Sequence, residues 1–131
     1  MLGKAKTTFS GISTDNLAKA REFYIDTLGL EVDNEEMGLT INLPGGAQMF
    51  IYEKSDHQPA TFTVLNFVVE DIDKEVEELK TKGVKFEEID FGPEGGATDE
   101  KDIMRGKAAN QGPDIAWFKD PAGNYLSVIE E

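Results

Sequence analysis

The sequence predicts an α+β protein built from two tandem βαβββ modules, and three observations carry that reading. Helix-periodic segments occur twice, each preceded by one strand-like run and followed by three. The two helical segments, "NLAKAREFYIDTLGLEV" and "DIDKEVEELKTKGVKF", align cap, apolar positions and terminal glycine with a single one-residue gap. A chain of 131 residues has room for about one domain of roughly 100–150 residues. The repeats, about 7–54 and 60–131, are therefore halves of a single domain, 1–131.

In the first half, "TTFSGIST" has strand character and runs into "DNLAKAREFYIDTLG". There Leu17, Ala20, Tyr24 and Leu28 recur at three- and four-residue steps, as on one helical face. Asp15 or Asn16 caps the start, and Gly29 ends the helix in a left-handed conformation. The runs "LEVD", "GLTINL" and "AQMFIYEK" supply three strands, the last two joined by a Pro-Gly-Gly turn at 44–46. After the polar connector "SDHQPA" the order repeats. "TFTVLNFVVE" is a strand, and "DIDKEVEELKTKG" is a helix capped by Asp71, with Ile72, Val76 and Leu79 inward and Gly83 as its stop. "VKFEEID" is expected as the next strand. A polar, Gly-rich stretch from Gly92 to Gly112 follows as a lid or a disordered insertion, in which Met104 and Arg105 reach over a cavity mouth. Two last strands, "DIAWFKD" and "YLSVIEE", form a hairpin across Pro-Ala-Gly-Asn. One module of about 60 residues has too little core to stand alone, so the curved mixed sheets are expected to form an open barrel-like cavity. Function is to be sought in that cavity.

Composition removes several classes of activity. No cysteine is present, which excludes disulfides, thiolate metal sites and cysteine nucleophiles. A formal charge of −13, with 13 basic residues scattered along the chain, repels a phosphate backbone and argues against nucleic acid as a partner. The same charge favours cationic or neutral ligands, or serves solubility alone. No stretch approaches a membrane span and the start lacks a long apolar run, so a cytoplasmic protein with no membrane partner is expected.

"DNLAKAREFYIDTLGLEV" resembles the opening helix of the vicinal oxygen chelate superfamily, which includes glyoxalase I, extradiol dioxygenases and the fosfomycin and bleomycin resistance proteins. "DPAGNYLSV" resembles its penultimate turn and last strand, and the similarity runs from Phe9 to Ile129. In metal-dependent members the resemblance implies one His, Glu or Gln ligand from the first and last strand of each module. Seven residues before the caps Asn16 and Asp71 stand Phe9 and Val64, and three after Asn124 stands Ser127. Superposing "FIYE" on "SVIE" sets Phe50 opposite Ser127, although a shift of one would name Met49 or Ile51. Two phenyl rings and an isopropyl group offer no lone pair to a divalent metal, so no metal and no cofactor are expected.

Other chemistry is sparse. The single histidine, His57, lies beside Asp56 in the connector, which leaves Ser10, Ser13, Ser55 and Ser127 without a histidine base. Glu35–Glu36 and Glu87–Glu88 are adjacent pairs whose side chains point to opposite faces of a strand. Trp117 shares a strand face with Ile115 and offers a stacking surface or a core residue. Asn66, two after Val64, places an amide among inward side chains, where a buried network or a guest must satisfy it. The candidate ligand-binding set is Phe9, Gly11, Phe50, Val64, Asn66, Trp117 and Ser127, with no catalytic residue among them. The expected function is metal-free binding or sequestration of a small organic molecule, aromatic or cationic, by a homodimer such as the resemblance implies. The alternatives are a glyoxalase-like lyase or isomerase or a dioxygenase using unrecognised metal ligands, and an interaction module without a small-molecule guest.

Overall fold

A computed structural model describes all 131 residues, Met1–Glu131, in two compact units, Met1–Pro59 and Ala60–Glu131. In the first, a short 3-10 turn (Leu2–Lys4) precedes β1 (Ser10–Thr14), α1 (Leu17–Glu22), β2 (Glu31–Glu35), β3 (Gly38–Asn42) and β4 (Gln48–Glu53). The four strands form one mixed sheet in the order β1-β4-β3-β2, with β1 parallel to β4 and the other neighbours antiparallel. The second unit repeats the plan with β5 (Thr63–Val68), α2 (Ile72–Thr81), β6 (Met104–Arg105), β7 (Asp114–Lys119) and β8 (Tyr125–Glu130). Its sheet order is β5-β8-β7-β6, with β5 parallel to β8.

The helices begin where the cap residues stand. Asn16 Oδ1 accepts from Lys19 N at 3.0 Å, and Asp71 Oδ1 accepts from Lys74 N at 3.1 Å. Each cap satisfies one orphan amide and stabilises its helix by about 1 kcal/mol. A glutamate carboxylate serves each start as well. Glu53 Oε1 accepts from Leu17 N at 3.2 Å, and Glu130 Oε1 accepts from Ile72 N at 3.0 Å. These glutamates close the final strand of each unit, so both modules tie the end of the sheet to the start of the helix in the same way.

From Phe23 to Thr27 the first helix widens into a π-helical turn, and Gly29 then leaves it at φ +70°. Ala20 and Tyr24 are buried there, while Leu17 and Leu28 are half-buried. Helix α1 packs on β3 and β4, whose Leu39, Ile41, Met49 and Ile51 are all buried. In the second unit α2 lays Ile72 and Val76 on the side of β7 and β8 that carries Ala116, Phe118, Leu126 and Val128. Full burial of a large aliphatic side chain stabilises a fold by about 1.5–3 kcal/mol, so these two layers hold the units together. Period-two alternation leaves the other side of each sheet without a helix.

The β7–β8 hairpin turns at Asp120–Asn124, and the motif "DPAGN" has a direct physical reading. The buried Asp120 carboxylate accepts from Ala122 N at 3.0 Å, from Asn124 N at 2.9 Å and from Asn124 Nδ2 at 3.1 Å. Asn124 Oδ1 in turn accepts from Ala60 N at 3.1 Å, which fastens the chain ahead of β5.

Two expectations need correction. "VKFEEID" is not a ladder strand. Val84 and Phe86 are buried, but the segment's only strand-type pairing with β7 is the isolated bridge Phe86↔Phe118, beside which Glu87 pairs with Lys119 at 3.4 Å. The fourth strand comes instead from within 92–112, where β6 pairs with β7. Arg105 does not reach over a cavity mouth. Its guanidinium holds Asp73 of α2 through two bonds of 2.9 and 2.7 Å and Asp99 through a third of 2.9 Å. Thr98, Asp99 and Gly106 add further bonds that fasten this stretch to its own unit.

Candidate functional site

The helix-free faces carry the candidate residues. On the first sheet Gly11 pairs with Phe50, and Phe50 pairs with Thr40, so the three share one face. Phe9 precedes β1 and is 67% exposed, yet its ring meets Phe50 edge-on at 6.4 Å. Tyr52, two residues along β4, stacks on Phe50 at 6.2 Å with the rings 19° from parallel. Gly38 explains how the Phe50 ring lies against the hairpin: a Cβ there would stand 2.9 Å from Phe50 Cζ and would also run into the Ile51 carbonyl. Only hydrogen fits at that position.

Beside these rings opens a cavity of about 410 Å³. Phe9, Phe50, Thr40 and Gln48 form its floor and wall. Glu35, Glu36 and Met37, at the tip of the β2–β3 hairpin, form its rim. A volume of this size lies within the roughly 300–1,000 Å³ of small-molecule sites. Strand pairing ends at Glu35, the last residue paired with β3 through Gly38, and Glu35 and Glu36 both line the cavity. Below the rim Gln48 Nε2 donates to Asn42 Oδ1 and Asn42 Nδ2 donates to Asp33 Oδ2, both at 2.8 Å. Asp33 is thereby engaged, whereas Glu35 and Glu36 form no ion pair.

On the second sheet Asn66 and Trp117 both pair with Ser127. Ser127 is fully buried, and its hydroxyl donates to Asn66 Oδ1 at 2.5 Å. The partner required by the Asn66 amide oxygen is thus supplied from within the sheet. Asn66 itself is exposed, which leaves its amide nitrogen to solvent or a guest. Trp117 is half-buried and meets Phe91 edge-on at 6.1 Å. Val64 lies where the register of β5 slips between Thr63 and Leu65, so it has no direct partner on β8.

Residues 7–128 match the Glyoxalase/Bleomycin resistance protein/Dioxygenase superfamily. The chain belongs to this superfamily. Its solved neighbours agree with it in fold. A putative glyoxalase family protein from Bacillus anthracis is 19% identical, with 98% of each chain covered and a TM-score of 0.65. The fosfomycin resistance protein FosX from Listeria monocytogenes is 14% identical over 97% of this chain and 93% of that one, with a TM-score of 0.67. TnmS3, an antibiotic binding protein from Streptomyces sp. CB03234, is 18% identical over 96% and 97%, with a TM-score of 0.63. At such identities the likeness concerns fold alone. No curated protein matches the sequence significantly.

The repeat relates the candidate positions of one unit to those of the other. Gly11 faces Phe50 in β1–β4 as Asn66 faces Ser127 in β5–β8. Glu53 and Glu130, each three residues further on, both bond the first amide of their helix. Phe50 rather than Met49 or Ile51 is therefore the counterpart of Ser127. Phe9, Phe50, Val64 and Ser127 offer one neutral hydroxyl between them, and that hydroxyl is engaged with Asn66. This donor set does not fit a divalent metal. Nor do three or more His, Asp or Glu side chains converge elsewhere as they would to hold an ion.

One expectation about serine is overturned. Ser13 Oγ lies 2.7 Å from His57 Nδ1, so the connector histidine does reach a hydroxyl. The two stand 44 residues apart in sequence, a separation no local pattern reveals. The cavity rim was likewise missed. A signal existed in the tetrapeptide "EEMG" between two strand-like runs, which marks a hairpin tip where alternation lapses.

Proposed function

We propose that this member of the glyoxalase superfamily binds and sequesters a small aromatic organic molecule without a metal and without changing it chemically. The observation that carries the reading is the 410 Å³ cavity in which Phe9 and Phe50, the counterparts of metal ligands, present phenyl rings to the opening. Aromatic rings meet a planar guest in offset or edge-on contacts worth about 0.5–1.5 kcal/mol each beyond burial. TnmS3, which shares the fold, is an antibiotic binding protein, and this gives the reading a precedent in kind. The helix-free face around Trp117 and Ser127, with Asn66 and Val64, is the companion surface of the same reading. Gly11 serves it by leaving room beside Phe50. In this reading residues 1–131 act as a single domain within a cytoplasmic homodimer, in which the edge strands β1 and β5 of each chain find partners.

Calorimetric titration of the whole chain with a panel of aromatic compounds, including a bleomycin-type glycopeptide, tests it. Saturable binding is expected, with the compound recovered unchanged and affinity reduced about tenfold by Phe50→Ala, the usual scale for a buried aromatic anchor. Turnover of a methylglyoxal–thiol adduct in metal-free buffer would overturn the reading, as would binding indifferent to Phe50.

A further inference from the structure

We infer that the helix-free face of the second sheet recognises a hydrogen-bond acceptor, the carbonyl oxygen of a neutral ketone, aldehyde or amide, held by Asn66 Nδ2 beside Trp117. The inference rests on the binding function proposed above and adds the polar group that the guest must carry. Asn66, Ser127 and Trp117 form one row across β5, β8 and β7, because Ser127 is the register partner of both others. With neighbouring strands about 4.8 Å apart, Asn66 and Trp117 stand roughly 10 Å from each other, on either side of the short, buried serine.

The orientation of the amide gives this row its polarity. An asparagine side chain has a donor end and an acceptor end, and a fixed partner decides which one faces outward. The Ser127 hydroxyl has no exposure, and the one hydrogen bond it makes is donated to Asn66 Oδ1. A reversed amide would leave that buried hydroxyl hydrogen without an acceptor. The Asn66 oxygen is therefore turned to the serine and the nitrogen to the open side. Asn66 Nδ2 has no partner in the chain, and neither has the indole Nε1 of Trp117, which can only donate. Both side-chain groups that the row offers to a guest are thus donors, so it selects an acceptor over another donor such as an ammonium. The only Lys or Arg in these three strands, Lys119, already pairs with Glu87 at 3.4 Å, and the net charge of −13 disfavours a carboxylate. A neutral carbonyl fits what is left. Phe91, edge-on to Trp117 at 6.1 Å, extends the wall against which the body of the guest lies.

The test titrates the full chain with 2-acetylnaphthalene, with 2-isopropenylnaphthalene, in which a CH2 group replaces the carbonyl oxygen, and with 2-naphthoate. Trp117 is the sole tryptophan, so quenching of its fluorescence reports binding at this face while calorimetry gives the affinity. We expect the ketone to bind about fivefold more tightly than the alkene, the scale of one net hydrogen bond, and more tightly than naphthoate. Asn66→Asp keeps an oxygen for Ser127 and removes the outward donor, so it should abolish the ketone's advantage. Ser127→Ala frees the amide to turn over and should cut that advantage about twofold. The ratio of ketone to alkene affinity is the readout, because damage to packing would lower both. Circular dichroism establishes that each variant is folded. Infrared spectroscopy of the ketone bound to the native chain needs no variant: its carbonyl stretch should fall below the frequency in hexane. A ratio near one, a ratio that survives Asn66→Asp, an unshifted stretch, or tightest binding by naphthoate would refute the carbonyl assignment while leaving the binding function standing. Failure of all three probes to bind would overturn both.

Discussion

Ser127 stands where the resemblance implies a His, Glu or Gln, and its small hydroxyl is buried and donates to Asn66. The two partners differ in what they would leave behind. Asn66→Ala strands a hydroxyl that has no exposure, at a cost of about 1–3 kcal/mol, whereas Ser127→Ala leaves an exposed amide that water can satisfy, at about 1 kcal/mol or less. Urea unfolding should therefore find Asn66→Ala the more damaging, and the double variant close to Asn66→Ala or milder. The reverse order would show that Ser127 has another partner. The sequence already marked both residues, because counting from the helix cap and the turn reaches them. It could not reveal that they satisfy each other, since 61 residues separate them. The Ser13–His57 contact escaped for the same reason, since 44 residues separate the two.

Among the elements, β6 is the one that periodicity could not find. Two residues, Met104 and Arg105, are too short to show a pattern, and what holds them is a side-chain network. "VKFEEID" by contrast alternates well and does bury Val84 and Phe86, yet its only strand-type pairing with β7 is a bridge. The helices, their caps and the β7–β8 hairpin were legible because cap residues, terminal glycines and the Asp-Pro-Ala-Gly-Asn turn act locally. Arg105 secures β6 to α2. Its two hydrogen bonds hold the Asp73 carboxyl down at about 2, below its ordinary 3.8, and the partnership raises the Arg105 guanidinium in turn. A depressed carboxylate contributes stability that is fully present above its unfolded value and is lost as pH falls through its folded one. The contribution of Asp73 should thus fade between pH 3.8 and about 2. Both side chains are partly exposed, so Arg105→Ala is expected to cost only about 1 kcal/mol overall. Its clearer effect is local. Amide exchange across 98–107 should quicken in the variant, and part of the acid sensitivity in that pH window should disappear. Unchanged exchange there would mean that backbone bonds alone hold the segment.

At the scale of the whole molecule, the duplication relates each position of one unit to a position of the other. Each unit pairs its first strand with its last in parallel, caps its helix with an Asx side chain and returns a glutamate to the first helical amide. With those landmarks superposed, Phe9 corresponds to Val64, Gly11 to Asn66 and Phe50 to Ser127. The four positions at which the resemblance implies metal ligands carry two rings, an aliphatic group and one engaged hydroxyl. The central claim, a metal-free binding site on that frame, is tested most directly by elemental analysis of the protein purified without chelator. The account predicts zinc, nickel and iron far below one equivalent per chain. Close to one equivalent of any of them, retained through dialysis and bound by buried side chains, would contradict it.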